Sequence, residues 1–252
     1  MKVTLFTSND IRHNYLIETI SKSCERLFVV QESFLNSKQS LPKISFNSNI
    51  MKNYFEKVYE AQVKIFDCER LDNLPANVKL INFKEDELNS ASLNSLSEFL
   101  KSDLYVVFGS SYLKGPLVDF LITKHAINIH MGVSPFYRGS DCNFWALYDN
   151  NPHLVGATIH LLTKGLDSGP ILYHAMSNIK DNPFIYTMSA VKSAFLSLRE
   201  RIKNKSIFQL NSIVQDKSKQ IRYSKKTDFN DVIVNKYFLK KINLNYKKFD
   251  YR

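Results

Sequence analysis

Glycine is missing from a large part of this chain of 252 residues, since none precedes Gly109. A dinucleotide-binding turn needs a G-x-G-x-x-G segment after the first strand, and an ATP-binding loop needs G-x-x-x-x-G-K-[ST]. Neither motif occurs in the sequence. We therefore expect that the chain binds neither NAD nor ATP in the usual manner, although its sheet has a Rossmann-like pattern.

Cysteine is scarce as well, with three residues that lack any C-x-x-C spacing. A scattered, odd number of cysteines argues against a disulfide framework and gives no zinc or redox motif. The pattern indicates a reduced compartment in which each cysteine is a small, buried or half-buried hydrophobic residue. The three are Cys24, Cys68 and Cys142.

Long apolar runs are absent too, and no stretch of the sequence approaches the roughly 20 apolar residues that a membrane-spanning helix requires. The opening run Val3–Phe6 is shorter than the core of a signal peptide and is followed at once by polar residues. We expect this run to be a buried strand, and the protein to be cytoplasmic with no membrane partner.

Acidic residues are fewer than basic ones, and the formal net charge is +10. Residues 217–252 carry 11 basic side chains against three acidic ones. Such a segment could bind nucleic acid, a membrane surface or an anionic small substrate. A solvated face is the simpler interpretation, and it is the one we favour.

Short apolar segments alternate with amphipathic ones through the first half of the chain, which predicts an α/β fold with a mostly parallel, Rossmann-like sheet and flanking helices. Apolar residues at spacings of three and four predict the helices. Strands are predicted at Val3–Thr7, Leu27–Gln31, Val78–Phe83, Leu104–Phe108 and Ala126–His130. Helices are predicted at Ile11–Ser23, Asn47–Phe66 and Ser92–Lys101, and loops at 32–45 and 71–77.

The pattern changes after His130, where two short strands at Ala157–Leu162 and Ile171–Ala175 precede a long helix over Pro183–Lys203. We expect a main domain at 1–204 and a small, basic, strand-containing extension at 205–252. Alternating apolar residues from Val232 to Leu239 predict a strand that could extend a sheet across a two-fold axis, so a homodimer is expected.

Three polar side chains are candidates for chemistry. Asn128 and His130 lie two apart at the end of an apolar strand, so their side chains share one face. Asp167 lies between Gly165 and Gly169, on what should be a tight loop between two strands. An amide, an imidazole and a carboxylate can stabilise an oxyanion and move a proton during acyl transfer to an amine, with no Ser or Cys nucleophile. On spacing alone, structural roles in a strand end and a turn are favoured for all three.

The segments around these residues resemble the signature of the folate-dependent formyltransferases, a family that includes glycinamide ribonucleotide, methionyl-tRNA and nucleotide-sugar members. The resemblance is strong over 104–175, generic before that and faint at 223–229, and it implies the formyltransferase fold. The family's N-x-H and Pro-x-[FY]-[RK]-G pattern is matched by Asn128, His130, Pro135, Tyr137, Arg138 and Gly139. Its T-I-H and later D-x-G-x-I pattern is matched by Thr158, Ile159, His160, Asp167, Gly169 and Ile171.

By this resemblance the catalytic residues are Asn128, His130 and Asp167, and the one-carbon donor is 10-formyltetrahydrofolate. Two loops would hold the pterin of that donor through backbone groups. The first loop contributes Phe108, Gly109, Ser110, Ser111 and Leu113, and the second contributes Leu162, Lys164 and Gly165.

No metal is expected, because the histidines form no H-x-x-x-H or H-E-x-x-H helix. A convergence of His130, His160 and His174 on a metal is the competing interpretation. We expect His160 to face the margin of the sheet, and three other histidines to lie on the surface. These are His13, His125 and His153.

The acceptor is less well defined. Gly132, Val133 and Ser134 stand where many purine and tRNA members carry Ser-Leu-Leu, and the form G-x-S-P-x-Y-R-G is closer to members that act on nucleotide-linked amino sugars. An anionic sugar nucleotide used for surface polysaccharide would exploit the positive charge of the chain. Candidate substrate-binding residues are Asn9, Asp10, Arg12, Tyr137, Arg138 and Trp145. Structural alternatives exist for some of them, as a helix N-cap at Asn9 or Asp10 and as core packing at Trp145.

Other functions remain open as alternatives. Within enzymes, these are formyl transfer to a hydroxylated ornithine, a ribosylamine or an aminoacyl-tRNA, and hydrolysis of the formyl-folate. The tRNA-specific relatives carry a sizeable C-terminal barrel domain, and only a short segment follows Asn230, so we expect nucleic acid to be a weak candidate. A non-enzymatic module that binds nucleic acid or protein ranks lower still, because a pure binder has no need of Asn, His and Asp at one strand edge.

Overall fold

The structure, a computed structural model, describes residues 1–33, 48–67, 74–85, 87–242 and 244. Cys68 and Asn47 therefore lie outside the described residues, as do residues 34–45 of the first expected loop and residues 71–73 of the second. The strands are β1 (Lys2–Ser8), β2 (Arg26–Ser33), β3 (Val78–Lys84), β4 (Leu104–Phe108), β5 (Ile127–His130), β6 (Tyr137–Gly139), β7 (Gly156–Leu161), β8 (Ile171–Met176) and β9 (Arg222–Ser224).

Seven of these strands form one sheet in the order β3-β2-β1-β4-β5-β7-β8. The first five in this order are parallel, and β7 and β8 complete the sheet as antiparallel neighbours. The predicted α/β class and mostly parallel sheet are therefore confirmed. The order reverses between β1 and β4, because β2 and β3 are added on one side and β5 on the other. α/β proteins bind ligands in the crevice at such a switch point, at the carboxyl ends of the strands.

Helices cover both faces of the sheet. They are α1 (Ile11–Ser21), α2 (Asn49–Phe66), α3 (Gly115–Thr123), α4 (Cys142–Tyr148), α5 (Pro183–Lys203) and α6 (Asp231–Leu239). Polar caps define several helix starts, since Asp10, Ser48 and Asn182 accept hydrogen bonds from the first backbone amides of α1, α2 and α5. Within the described ranges, none of the helices has the length and apolarity needed to cross a bilayer.

Two hydrophobic clusters hold the helices to the sheet. The larger one joins α1, α2, α4, α5 and α6 to one face and includes the fully buried Phe195 and Leu198. The smaller one packs α3 and the segment 88–100 against the other face, around Phe6 and Leu121. Each fully buried side chain of this size stabilises the fold by roughly 1.5–3 kcal/mol, so the sheet is fixed firmly beneath the crevice.

The predicted helix at Ser92–Lys101 is wrong, since the structure has consecutive turns there. The apolar positions are nonetheless buried, as the periodicity indicated, with Leu96 and Phe99 in the smaller cluster. The Ser92 hydroxyl accepts a hydrogen bond from the Ser95 amide, and the Ser95 hydroxyl donates to the Ser92 carbonyl. Side chains that bond the nearby backbone in this way compete with a regular helix.

The strand predicted from Val232 to Leu239 is also wrong, because these residues belong to α6. Asn230 caps this helix by accepting a hydrogen bond from the Ile233 amide. Val234 and Tyr237, three residues apart, are both buried, and Tyr237 belongs to the larger cluster. This is a helical spacing rather than an alternating one. The extension contains a strand at β9 instead, which pairs with β6.

Candidate active site

A cleft of about 430 Å³ opens at the carboxyl ends of β4 and β5, next to the switch point. Its wall combines polar groups with apolar side chains. The residues predicted from the sequence that line it are Arg12, Phe108, Gly109, Ser110, Ser111, Leu113, Asn128, His130, Leu162, Gly165 and Asp167.

The side chains of Asn128, His130 and Asp167 meet at one edge of this cleft. Asn128 and His130 come from the last residues of β5, and Asp167 follows β7 in the chain. The Asp167 Oδ1 lies 3.3 Å from the His130 Nδ1 and accepts a hydrogen bond of 3.5 Å from the Asn128 Nδ2. The structure thus brings together the three residues that the sequence singled out.

Backbone contacts fix the loop that carries Asp167. This residue has a left-handed conformation with φ of 47°. The Gln215 side-chain amide donates to the carbonyls of Asp167 and Gly169, at 2.9 and 2.8 Å. A Cβ atom at Gly169 would lie 1.7 Å from the Leu161 carbonyl oxygen, so only glycine fits there. The carboxylate is therefore held in place before any ligand arrives.

His130 and Asp167 form a buried ion pair. Burial alone would lower the pKa of His130, but the Asp167 carboxylate and Cys142 together raise this pKa well above its usual value. Burial alone would raise the pKa of Asp167, but His130 and His160 hold it well below its usual range. The His130 Nε2 also donates to the Tyr137 carbonyl at 3.1 Å, which requires a proton on that nitrogen. The geometry thus favours a positively charged imidazolium beside the cleft at neutral pH.

His160 belongs to the same cluster, contrary to the expectation that it faces the sheet margin. It is 1% exposed, and its Nε2 lies 3.1 Å from the Asn128 Nδ2 and 3.9 Å from the Asp167 Oδ1. His160 is the partner of Asn128 across β5 and β7, and a register shift in β7 occurs between Ile159 and His160. Such irregularities turn a side chain toward a site. The T-I-H motif was the sequence signal that could have placed this residue.

The two predicted donor-binding loops face each other across the cleft. The Tyr112 hydroxyl of the first loop donates to the Lys164 carbonyl of the second. The Lys164 ammonium pairs with Asp119 on α3 at 2.7 Å and lies outside the cleft lining, so it acts on the loop rather than on the cleft. Phe108 is among the residues that line the cleft, although it is only 2% exposed.

Of the six candidate substrate-binding residues, Arg12 is the one that lines the cleft. Asp10 caps α1, as its structural alternative predicted, and Arg138 donates to the Leu166 carbonyl at 2.9 Å. Tyr137 and Trp145 are buried in the core and do not line the cleft, and neither does Asn9.

Two residues that were not predicted as site residues also lie in or next to the cleft. Lys226 of the C-terminal extension lines the cleft, and the β6–β9 pairing delivers it there. His13, which we expected on the surface, is 2% exposed and packs directly beneath Gly109, where an added Cβ would lie 2.3 Å from its ring. The competing interpretation of a metal site involved His174, whose ring donates to the Ser134 carbonyl at 2.8 Å. Among the described residues, no group of three His, Cys, Asp or Glu side chains could hold a metal ion.

The fold and the polar side chains at the cleft are those of an α/β group-transfer enzyme. Comparison with known proteins makes the class more specific, because residues 48–202, more than half of the chain, match the family model described as Formyl transferase. The chain belongs to this family.

Curated relatives match over shorter segments. A stretch of 69 residues is 39% identical to the methionyl-tRNA formyltransferase of Thermodesulfovibrio yellowstonii and covers 27% of this chain and 22% of that protein. A stretch of 104 residues is 33% identical to the mitochondrial formyltetrahydrofolate deformylase 1 of Arabidopsis thaliana and covers 40% of this chain and 29% of that protein. The chain thus matches less than a third of the length of either relative.

Solved structures share the fold at low sequence identity. A 4-N formyltransferase from Francisella tularensis superposes with a TM-score of 0.55 at 19% identity, over 90% of this chain and 77% of that one. An N-formyltransferase from Helicobacter canadensis, solved with folinic acid and dTDP-3-aminofucose, gives a TM-score of 0.55 at 15% identity, over 94% and 79%. Glycinamide ribonucleotide transformylase 1 from Symbiobacterium toebii gives 0.53 at 14% identity, over 86% and 94%.

Proposed function

We propose that this chain transfers a formyl group from 10-formyltetrahydrofolate to a primary amine. The observation that carries the proposal is the convergence of Asn128, His130 and Asp167 at one edge of the cleft. The reaction needs positive charge and hydrogen-bond donors where an oxyanion forms, and a base where an ammonium forms. This cluster offers all of them within a few ångströms.

The residues of the cleft fit a folate donor. The pterin is flat and polar at its rim, and the loops 109–113 and 162–165 offer backbone groups between apolar walls that include Leu113, Val118 and Leu162. When bound, the donor would supply the formyl carbon as the electrophile.

The chemistry of the chain's own groups then follows. His130 in its charged form stabilises the negative oxygen that forms when the amine attacks the formyl carbon, together with the Asn128 N–H that makes only the long 3.5 Å hydrogen bond to Asp167 and can turn to the substrate. Asp167 holds a water that accepts the proton that the attacking nitrogen loses and passes it on. A bond forms between the amine nitrogen and the formyl carbon, the bond from that carbon to the folate N10 breaks, and the proton ends on N10.

We further propose a nucleotide-linked amino deoxysugar as the acceptor. Support comes from Arg12 and Lys226, two cations that line the cleft and have no carboxylate at salt-bridge distance among the described residues. They suit the phosphates of a sugar nucleotide. The likeness to the Helicobacter canadensis enzyme with its bound dTDP-3-aminofucose points the same way. Domain bounds of 1–204 and 205–252 and a homodimer also stay proposals.

The test is a transfer assay with purified protein. 10-Formyltetrahydrofolate labelled in the formyl carbon is offered with a panel of UDP- and dTDP-linked 3-amino and 4-amino deoxysugars, and products are weighed by mass spectrometry. A gain of one formyl unit on a sugar nucleotide supports the proposal. No transfer to any member of the panel would count against the acceptor class.

Hydrolysis of the donor is the second candidate, and one observation favours it. The match to the deformylase of Arabidopsis thaliana extends over more of this chain than the match to the tRNA enzyme. Water would replace the amine as the nucleophile at the same three residues. Rapid release of formate with no amine present would favour this function over transfer.

A further inference from the structure

Glu32 is a buried carboxylate at the carboxyl end of β2, and its side chain is part of no predicted site. It is 0% exposed. Among the described residues, no lysine, arginine or histidine lies within salt-bridge distance of it. A buried charge without a cation is expensive unless several hydrogen bonds satisfy it.

Both oxygens of this carboxylate bond to one residue of the cleft wall. The Ser111 backbone amide donates to the Glu32 Oε2 at 2.6 Å, and the Ser111 hydroxyl donates to the Oε1 at 2.8 Å. The two residues are 79 positions apart in the sequence, so the contact fixes the loop 109–113 to a different strand. Two short hydrogen bonds to a charged acceptor are the strong kind.

Other polar contacts hold the rest of this loop. The Asn89 side chain accepts from the Lys114 amide at 2.7 Å and donates to the Tyr112 carbonyl at 3.0 Å. The Ser110 hydroxyl donates to the Ser111 carbonyl at 3.2 Å. Glu32 is the one charged group in this set, and it holds the middle of the loop.

We propose that Glu32 is a positioning residue for the formyl donor. It draws the amide and hydroxyl of Ser111 away from the cleft and so sets the backbone of the loop 109–113 in the form that receives the pterin. This inference rests on the proposed function, since it assigns the loop to the folate. Preorganisation of this type lowers the entropy that a loop loses on binding, so it acts on donor affinity.

A graded series of variants tests the inference. Glu32→Ala removes both hydrogen bonds, Glu32→Gln keeps an acceptor for the Ser111 amide, and Ser111→Ala removes the hydroxyl bond alone. Glu25→Gln is the matched control, because Glu25 stands next to the opposite, amino end of β2 and is 75% exposed. The measurements are the Kd for folinic acid by calorimetry, both KM values, kcat, and the melting temperature.

We expect Glu32→Ala to weaken folinic acid binding and to raise the donor KM by about tenfold or more, with smaller effects in Glu32→Gln and Ser111→Ala. The acceptor KM and the kcat at saturating donor should stay within about twofold, and Glu25→Gln should match the wild type. A merely structural role would instead lower the melting temperature and change both KM values alike.

Two failures are distinguishable. If the wild type itself binds no folinic acid, the proposed function is at fault. If the wild type binds it and Glu32→Gln, Ser111→Ala and the folded fraction of Glu32→Ala bind it equally well, the inference about Glu32 is overturned.

Discussion

The Asn128 Nδ2 lies 3.1 Å from the His160 Nε2, across the antiparallel pair β5 and β7. The His160 Nδ1 donates to the Leu161 carbonyl at 2.8 Å, so in the neutral ring the Nε2 carries the lone pair and accepts from the amide. Because the tautomer of His160 is fixed by this backbone contact, His160 determines which atom of the Asn128 amide is available to a ligand.

Replacement of His160 by alanine should therefore act through Asn128. We expect kcat to fall by roughly tenfold, because the amide loses one hydrogen bond that orients it. The kcat of Asn128→Ala should fall further, by about 10²–10³-fold, as expected for the loss of a hydrogen-bond donor to the oxyanion. The double variant should be no slower than Asn128→Ala, and steady-state kinetics of all four proteins measure this. Fully additive losses would show that the two residues act independently. The exposed His125, changed to Asn, is the control.

The buried pair of His130 and Asp167 should make stability depend on pH in a definite sense. The pKa of His130 is raised, so its contribution is complete below the usual value of 6.5 and is lost as the pH rises through the raised pKa. The pKa of Asp167 is lowered, so its contribution is present above the usual value of 3.8 and is lost as the pH falls toward the lowered pKa. The pair thus stabilises the fold most between these two usual values and loses its effect at both extremes.

Asp167→Asn should lower the free energy of unfolding by about 3–5 kcal/mol near pH 6, because a buried pair loses one partner. The deficit should shrink as the pH rises past the raised pKa of His130, where the wild-type imidazole is neutral as well. Urea denaturation from about pH 5 to pH 9 measures it. Asp119→Asn, which removes an exposed partner of Lys164, should show a small deficit that is the same throughout. A constant deficit for Asp167→Asn would contradict the assigned ion pair.

The fold was largely predictable from the sequence because its strands are short, apolar and separated by turn residues. The strand ends at Phe108 and His130 agree with the structure, and so does the helix Pro183–Lys203. Two failures have the same physical source, since packing overrides local pattern. The turns at Ser92–Lys101 bury helix-spaced residues without a helix, and α6 is a helix that buries Val234 and Tyr237 despite its alternating apolar residues.

The site was predictable only in part. Asn128, His130 and Asp167 lie within recognisable sequence motifs, but no motif identifies the contacts between distant segments of the chain. Glu32 and Ser111 are far apart in sequence, and Lys226 enters the cleft only because β9 pairs with β6. Trp145 is conspicuous in the sequence as the single tryptophan, yet it is 2% exposed, so it cannot stack on a ligand in this conformation.

Substitution of Gly139 should destabilise the fold more than substitution of Gly115, although both residues have a positive φ, 92° at Gly139 and 64° at Gly115. A Cβ at Gly139 would lie 2.0 Å from the Ser224 carbonyl oxygen, while one at Gly115 would meet no atom within 4 Å. Gly115→Ala should cost about 1 kcal/mol from backbone strain alone. Gly139→Ala should cost roughly 2–4 kcal/mol, since it adds a steric clash that separates β6 from β9. Equal effects of the two substitutions on unfolding by urea would argue against the β6–β9 contact.

Arg222 of β9 should anchor the segment around β9 to α4 and the loop that follows it. Its guanidinium makes two hydrogen bonds to Asp149, at 2.9 and 2.7 Å, and lies 4.3 Å from the centre of the Trp145 ring. A planar, bidentate group stacked on an indole is not replaceable by an ammonium. We expect Arg222→Lys to lower the free energy of unfolding by about 1–2 kcal/mol. Lys219→Ala, in the same extension and exposed, should change it by less than about 0.5 kcal/mol.

Arg222→Lys should also affect the cleft, because Lys226 lies two residues beyond the end of β9. Loosening β9 should raise the KM for an anionic acceptor more than the KM for the donor, because β9 pairs with β6 and positions Lys226, whereas the proposed donor loop 109–113 is held by Glu32 and Asn89. Steady-state kinetics with each substrate varied in turn would measure the ratio of the two effects. An equal rise in both KM values for Arg222→Lys would place the extension in a purely structural role.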